Sequence, residues 1–156
     1  MKQKVKFYYA DIKNRIKGAN SIKQSVEKLF LEENHKLSYI NYVFCSDEYL
    51  LTINKEHLNH DYYTDIITFD LTDNVNEGII GEIYVSFDRI VDNAINHQTN
   101  TQNELLRVVF HGALHLCGYK DKAKSDELLM RKKENYYIEK HLSLVSHNTV
   151  SQRNIR

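Results

Sequence analysis

A chain of 156 residues, 42% hydrophobic and 27% charged, is long enough to bury one core without disulfides or a structural metal, which excludes an extensively disordered protein. Lysine plus arginine equals aspartate plus glutamate at 21 each, which excludes a whole-molecule field for nucleic acid or an anionic membrane, so any nucleic-acid contact requires a local basic patch. With no apolar run near the roughly 20 residues of a membrane span, no secretory signal pattern, and no framework spacing for Cys45 and Cys117, the expectation is a cytoplasmic protein with free thiols and no membrane partner.

Val5 to Tyr9 and Leu37 to Phe44 are rich in β-branched and aromatic residues and read as strands, and Asn20 to Glu33 between them is patterned as a helix. That opening predicts a βαβ-like unit. Asp47 to His57 reads as a helix. Ile66 to Leu71 and Ile79 to Val85 are short apolar runs separated by the turn-like DNVNEG segment, which predicts an adjacent strand pair and a four-stranded sheet. From Ser86 onward the pattern is helical in three pieces: Asp88 to Gln98, Thr101 to Cys117 and Ser125 to His141. Strands first and helices last indicates an α+β fold. Proline is absent and the five glycines are scattered, so no linker divides the chain, and the expectation is one domain over residues 1–142. Residues 143–156 form a polar tail that reads as a frayed terminus.

The chemistry lies in the second of the three helices. Thr101 followed by Glu104 fits a capping box at its start, and Gly118 supplies a stop at its end. Leu105, Leu106, Val108, Val109, Phe110, Ala113, Leu114 and Leu116 surround most of its circumference, which predicts a largely buried helix. His111 and His115, four residues apart, share one face at a Cβ separation of about 5–6 Å, so two imidazoles can converge on one cation. A catalytic zinc takes three protein ligands, and Asp121, just beyond the Gly118 turn, is placed to be the third. Eight histidines in the chain make one such pair unsurprising, and hydrogen-bonded core histidines are the competing reading. Gly112 stands where the protease motif HExxH has its glutamate, which argues against an ordinary metalloprotease. Room beside a metal and tight core packing both account for a glycine there.

HGALHLCGYKD at residues 111–121 resembles HGxLHLxGYDH, the signature of the YbeY family of metal-dependent endoribonucleases that act in ribosomal RNA maturation. Asn54, Asp61, TDIITF at 64–69 and GEIYVS at 81–86 are similar to further motifs of that family, and the resemblance runs from about residue 50 to residue 135. It implies a mixed four-stranded sheet packed on helices, with the metal site on a central helix facing a cleft. It also implies one zinc ion per chain and single-stranded ribosomal RNA as substrate, at the 3′ end of small-subunit rRNA, with the small ribosomal subunit as partner. Asp121 occupies the position of the family's last histidine, leaving a His₂Asp site.

Leu58 falls where the family has an arginine, and His60, Lys55 and Lys120 are the cations near enough in sequence to take its place. Glu82 and Asp65 are candidates to position water or orient a histidine, with a solvent-facing strand-end charge as the other reading. Thr64 fits a turn cap better than a backbone contact. Lys120, Lys122, Lys124, Arg131, Lys132 and Lys133 form a basic cluster beside the site, with Tyr119 available to stack on a base; a solvated helix face is the alternative. Two rival functions remain open: a metal-stabilised ribosome-assembly factor that does not cut RNA, and a metallohydrolase of another substrate class.

Overall fold

Val5, Phe7 and Tyr9 turn inward while Lys6 and Tyr8 are exposed, the period-two pattern of a strand with one buried face. This strand, β1 (Val5–Tyr9), leads through helix α1 (Ala19–Glu32) into the parallel strand β2 (Leu37–Cys45), so the expected βαβ opening is present. The structure is a computed structural model that describes the backbone of residues 2–154 and the side chains of residues 2–147. Helix α2 (Asp47–Leu58), strands β3 (Ile66–Asp70) and β4 (Ile79–Ser86), and helices α3 (Phe87–Asn96), α4 (Thr101–Leu116) and α5 (Lys124–Asn154) complete the chain.

The four strands lie in the order β1-β2-β4-β3, with β3 alone antiparallel, which makes the sheet mixed and the fold α+β as the sequence indicates. The expected strand pair is β3 and β4, in register from Ile66 opposite Val85 to Asp70 opposite Gly81, joined through a 3₁₀ turn at Val75–Glu77. Helices α1 and α4 pack on one face of the sheet and α5 lies over both. Ile22, Val26, Leu29 and Phe30 from α1 meet Ile40, Tyr42 and Phe44 from β2 and Leu106, Val109 and Phe110 from α4 in one continuous core. The buried Tyr42 hydroxyl donates to the Val109 carbonyl at 2.8 Å, fixing α4 against the sheet without leaving a polar atom unpaired.

The other face carries α2, over a smaller cluster of Cys45, Leu50 and Ile67. Arg89, in the first turn of α3, reaches α2 through a forked ion pair with Asp47, at 2.8 Å from Nη2 and 3.0 Å from Nε. No helix among the described residues is long and apolar enough to cross a membrane.

The C-terminal segment differs from expectation. Instead of fraying from Ser143, α5 continues to Asn154. No proline or glycine follows Gly118, and Tyr137, Ile138 and His141 dock on the core, so nothing in the chain stops the helix from propagating. Residues 155 and 156 of the predicted tail lie outside the described residues.

Candidate metal centre

Helix α4 begins one residue earlier than a Thr101 cap requires. The N-cap is Asn100, whose side-chain oxygen accepts from the Asn103 amide at 2.7 Å. Asparagine is among the strongest N-cap residues, and with it in place Thr101 becomes the first helical residue. Glu104 is buried and faces His97 at 3.7 Å, so the expected capping box does not form. At the other end Gly118 has φ +99°, its amide donates to the His115 carbonyl at 3.0 Å, and the Tyr119 amide donates to the Leu114 carbonyl at 3.1 Å. This Schellman closure turns the chain back over the last helical turn and brings Asp121 to the face of the two histidines.

The rings of His111 and His115 stand 4.5 Å apart, nearly perpendicular. His111 Nδ1 lies 2.6 Å from Glu134 Oε2, and His115 Nδ1 lies 2.9 Å from the Tyr119 carbonyl oxygen. An ionised carboxylate and a carbonyl have no proton to give, so both Nδ1 atoms donate, and in the neutral rings both Nε2 atoms keep a lone pair for a cation. Those Nε2 atoms converge on Asp121 Oδ2, at 3.2 and 3.3 Å, and the three ligand atoms all lie within 4.8 Å of one another. Two imidazole nitrogens and a carboxylate oxygen, each imidazole held by an outer acceptor, are the donor set of a catalytic zinc-type site. The residues fit a divalent cation.

Electrostatics agree with the geometry. Burial by itself lowers the His111 pKa, but the Glu134 hydrogen bond and the nearby carboxylates of Glu134, Asp121 and Asp65 outweigh it and raise the ring above its ordinary value. A site that favours a proton on His111 favours a metal cation for the same reason. Burial also raises the Glu134 carboxyl, yet hydrogen bonds from His111 and from Arg107, at 2.9 Å, bring it below the usual carboxylate range.

His111 and Asp121 open onto a cleft of about 340 Å³ lined also by Asp65, Arg107, Arg131 and Glu134. Asp65, singled out in the sequence, is therefore at the site. Burial pushes its carboxyl above the ordinary range, partly opposed by His111. Glu134 and Arg107 were not singled out. Arg107 is one turn before His111 on the same helical face, a spacing that points to it once the face is known; Glu134 lies on α5, with no signal in the sequence linking it to His111.

Other expected residues lie elsewhere or have other partners. Glu82 shares its face of β4 with Tyr84, whose hydroxyl donates to it, and that face packs towards α2; the opposite face, with Gly81 and Ile83, meets α4. Strand alternation thus separates Glu82 from the histidines by the thickness of the sheet. Tyr119 is tied by its hydroxyl to Glu33, at 2.5 Å, with the Lys133 ammonium 5.5 Å from its ring centre, so it supports the loop and is not an open stacking platform. Lys133 is paired with Glu33 at 3.1 Å. Lys120 and Lys122 are exposed on the loop beside Asp121, and Lys124 and Lys132 are exposed on α5.

Leu58 is exposed at the end of α2. Lys55 pairs with Asp61 at 3.3 Å and His60 stacks on Tyr62; neither lines the cleft. The cations there are Arg107 and Arg131. The Thr64 hydroxyl donates to the Ile66 carbonyl at 3.4 Å, a local contact that differs from a turn cap, in which the hydroxyl oxygen would accept from a backbone amide. Gly112 is explained by packing: a Cβ would lie 3.0 Å from Ile66 Cδ1 and from Ile83 Cδ1.

Residues 3–142 match the family model described as endoribonuclease YbeY. A Flavobacterium psychrophilum protein named endoribonuclease YbeY is 45% identical over 131 residues, covering 84% of this chain and 91% of that one. One of the same name from Cytophaga hutchinsonii is 42% identical over 136 residues, covering 86% and 94%. The solution structure of TM1509 from Thermotoga maritima matches with a TM-score of 0.63 at 26% identity, covering 92% of this chain and 93% of that one.

Proposed function

Because this chain belongs to the YbeY endoribonuclease family, we propose that it is a cytoplasmic, metal-dependent endoribonuclease that hydrolyses single-stranded ribosomal RNA, acting at the 3′ end of small-subunit rRNA during ribosome assembly. The observation that carries this reading is the convergence of His111 Nε2, His115 Nε2 and Asp121 Oδ2 beside an open cleft, with both Nδ1 atoms already engaged. Zinc is the metal proposed, one per chain, because a His₂Asp set suits it. A cation held there supplies Lewis acidity, polarising a phosphoryl oxygen and making water acidic enough to furnish a nucleophile near neutral pH.

The chain's own residues do the rest. Glu134 and the Tyr119 carbonyl hold the two imidazoles in the tautomer that presents Nε2. Asp65, with its carboxyl raised by burial, is the group in the cleft suited to take up the proton released as the phosphodiester is attacked and to hold it on a carboxylate oxygen. Arg131, exposed and held to Glu134 by a long ion pair of 3.9 Å, can swing to a phosphate and fills the part left by Leu58. Arg107 is already committed to Glu134 and to Asn135, each at 2.9 Å, and serves as an anchor. Lys120, Lys122 and Lys124 approach the strand as it enters, with affinity that falls as salt rises.

A cleavage panel of single-stranded RNA, duplex RNA and casein, with and without chelator, tests the reading. The wild type cuts single-stranded RNA only, the chelator stops it, and His111→Ala is inactive. Activity on casein alone sinks the substrate class; a folded, metal-loaded wild type that binds RNA without cutting it favours an assembly factor.

A further inference from the structure

Away from the cleft, the start of β1, helix α1 and the turn into β2 enclose a second groove of about 900 Å³, which shares no lining residue with the first. Lys2, Lys4, Lys23 and Lys36 line it against a single carboxylate, Glu27. Three positive charges are thus uncompensated in a chain whose formal charge is zero. Among the described residues none of the four ammonium groups is in an ion pair, and Glu27 accepts instead from the Lys4 backbone amide at 3.3 Å. The contrast with α5 is sharp: there Lys133 and Lys140 are neutralised by Glu33 and Glu32.

Lys36 Nζ donates to the Asn76 carbonyl at 3.3 Å and Lys23 sits 5.3 Å from the Phe7 ring centre, contacts that leave both charges uncancelled. The rest of the polar lining is carboxamide, including Gln24 and Asn34, together with the imidazole of His35. Lysines and carboxamides on separate elements are the side chains that contact phosphates and sugars along a nucleic-acid backbone. An acidic peptide needs apolar anchor pockets as well. Here Val5 and Phe30 are closed off at 1% exposure, which leaves Leu31 as the one well-exposed apolar side chain of the lining.

We propose that this groove is a second RNA-contact surface, which holds backbone phosphates of an RNA segment flanking the one presented to the metal site. The inference rests on the reading that the chain acts on RNA, and it adds a requirement on substrate length. RNA long enough to reach both surfaces binds more tightly than RNA that fills the cleft alone.

The test is binding of a fluorescent 40-nucleotide 2′-O-methyl RNA to the full-length, metal-loaded protein across a salt series, alongside cleavage of an unmodified RNA of 8 nucleotides. In the triple variant Lys4→Gln, Lys23→Gln, Lys36→Gln, affinity for the long RNA falls about tenfold or more near 0.1 M salt, and the slope of log K against log salt becomes shallower by about 2. Cleavage of the short RNA is unchanged, and the matching triple arginine variant keeps wild-type binding, which separates lost charge from lost folding. Equal affinity and slope in the glutamine variant overturn the proposal. So does lysine-dependent binding of polyglutamate without an effect on RNA, which makes the groove a site for an acidic protein segment. If wild type cuts neither RNA but the charge effect on long-RNA binding persists, the endonuclease reading fails and the groove stands.

Discussion

Glu134 Oε2 stands 2.6 Å from His111 Nδ1, joining the last helix to the metal-site helix across 23 residues of chain. Its other oxygen accepts from Arg107, so the carboxylate is fixed from both sides and sets the direction of His111 Nε2. Outer partners of this kind raise ligand basicity and restrict ring rotation, and their loss typically costs 10–100-fold in metal affinity. Glu134→Gln is expected to weaken zinc binding by about that factor, measured by competition with a chromogenic chelator. Unchanged affinity in a folded variant assigns Glu134 a packing role alone.

Tyr119 links His115 to α1. Its carbonyl accepts from His115 Nδ1 and its hydroxyl donates to Glu33, which also accepts from Tyr137 and Lys133. Tyr119→Phe keeps the carbonyl but frees the loop that carries Asp121. The expected result is a loss of about 1 kcal/mol in stability, read by urea denaturation, with a several-fold weaker metal affinity. The same loss of affinity in Glu33→Gln, without further loss in the double variant, marks one connected support.

Two groups give stability a dependence on pH with the same sign. His141 is buried beside Ser25, at 2.6 Å, and burial lowers its pKa below the ordinary 6.5. As pH falls through about 6.5 the unfolded chain takes up this proton more readily than the folded one, so stability drops on acidification and the drop levels off below the folded-state pKa. The Arg89 hydrogen bonds hold the Asp47 carboxyl below its usual range, against a smaller effect of burial. Its contribution is present above about pH 4 and is lost as pH falls through the folded-state value. Urea unfolding of wild type and His141→Phe from pH 8 to pH 5 checks the first: the difference between the two proteins shifts in favour of the variant as pH falls. A constant difference removes His141 as the titrating group.

Gly112 lies where α4 packs tightly on the sheet. Added methyl groups there press on Ile66 and Ile83, so Gly112→Val is expected to destabilise the fold by about 1–3 kcal/mol. Combining it with Ile83→Val returns part of that loss in the same urea titration. No recovery in the double variant means that the cost arises elsewhere in the helix.

The sequence made the fold legible where one periodicity dominates. The alternation in β1 and β2, the paired runs of β3 and β4, and the buried circumference of α4 all appear at the expected places within a residue or two. The group that could hold a metal was legible for a local reason, because a four-residue spacing on a helix followed by a glycine turn brings His111, His115 and Asp121 together. Glu134 was hidden because the partner of a buried histidine is set by how α5 crosses α4, which no local pattern encodes. Glu82 was misplaced by reading proximity along a motif as proximity in space, since a strand sends neighbouring side chains to opposite faces. Asn100 was overlooked beside Thr101 because adjacent residues competed for one cap. The first third of the chain, which lies upstream of the motifs that carry the resemblance, falls within the family match at residues 3–142.

The central claim is that His111, His115 and Asp121 together hold one catalytic metal ion, and metal content tests it most directly. Plasma mass spectrometry on untagged wild type, His115→Ala and Asp121→Ala is expected to find about one zinc per chain in the wild type and a large loss in both variants. Metal retained in Asp121→Ala removes the aspartate from the ligand set. A folded wild type that neither contains zinc nor takes up an added divalent metal contradicts the account.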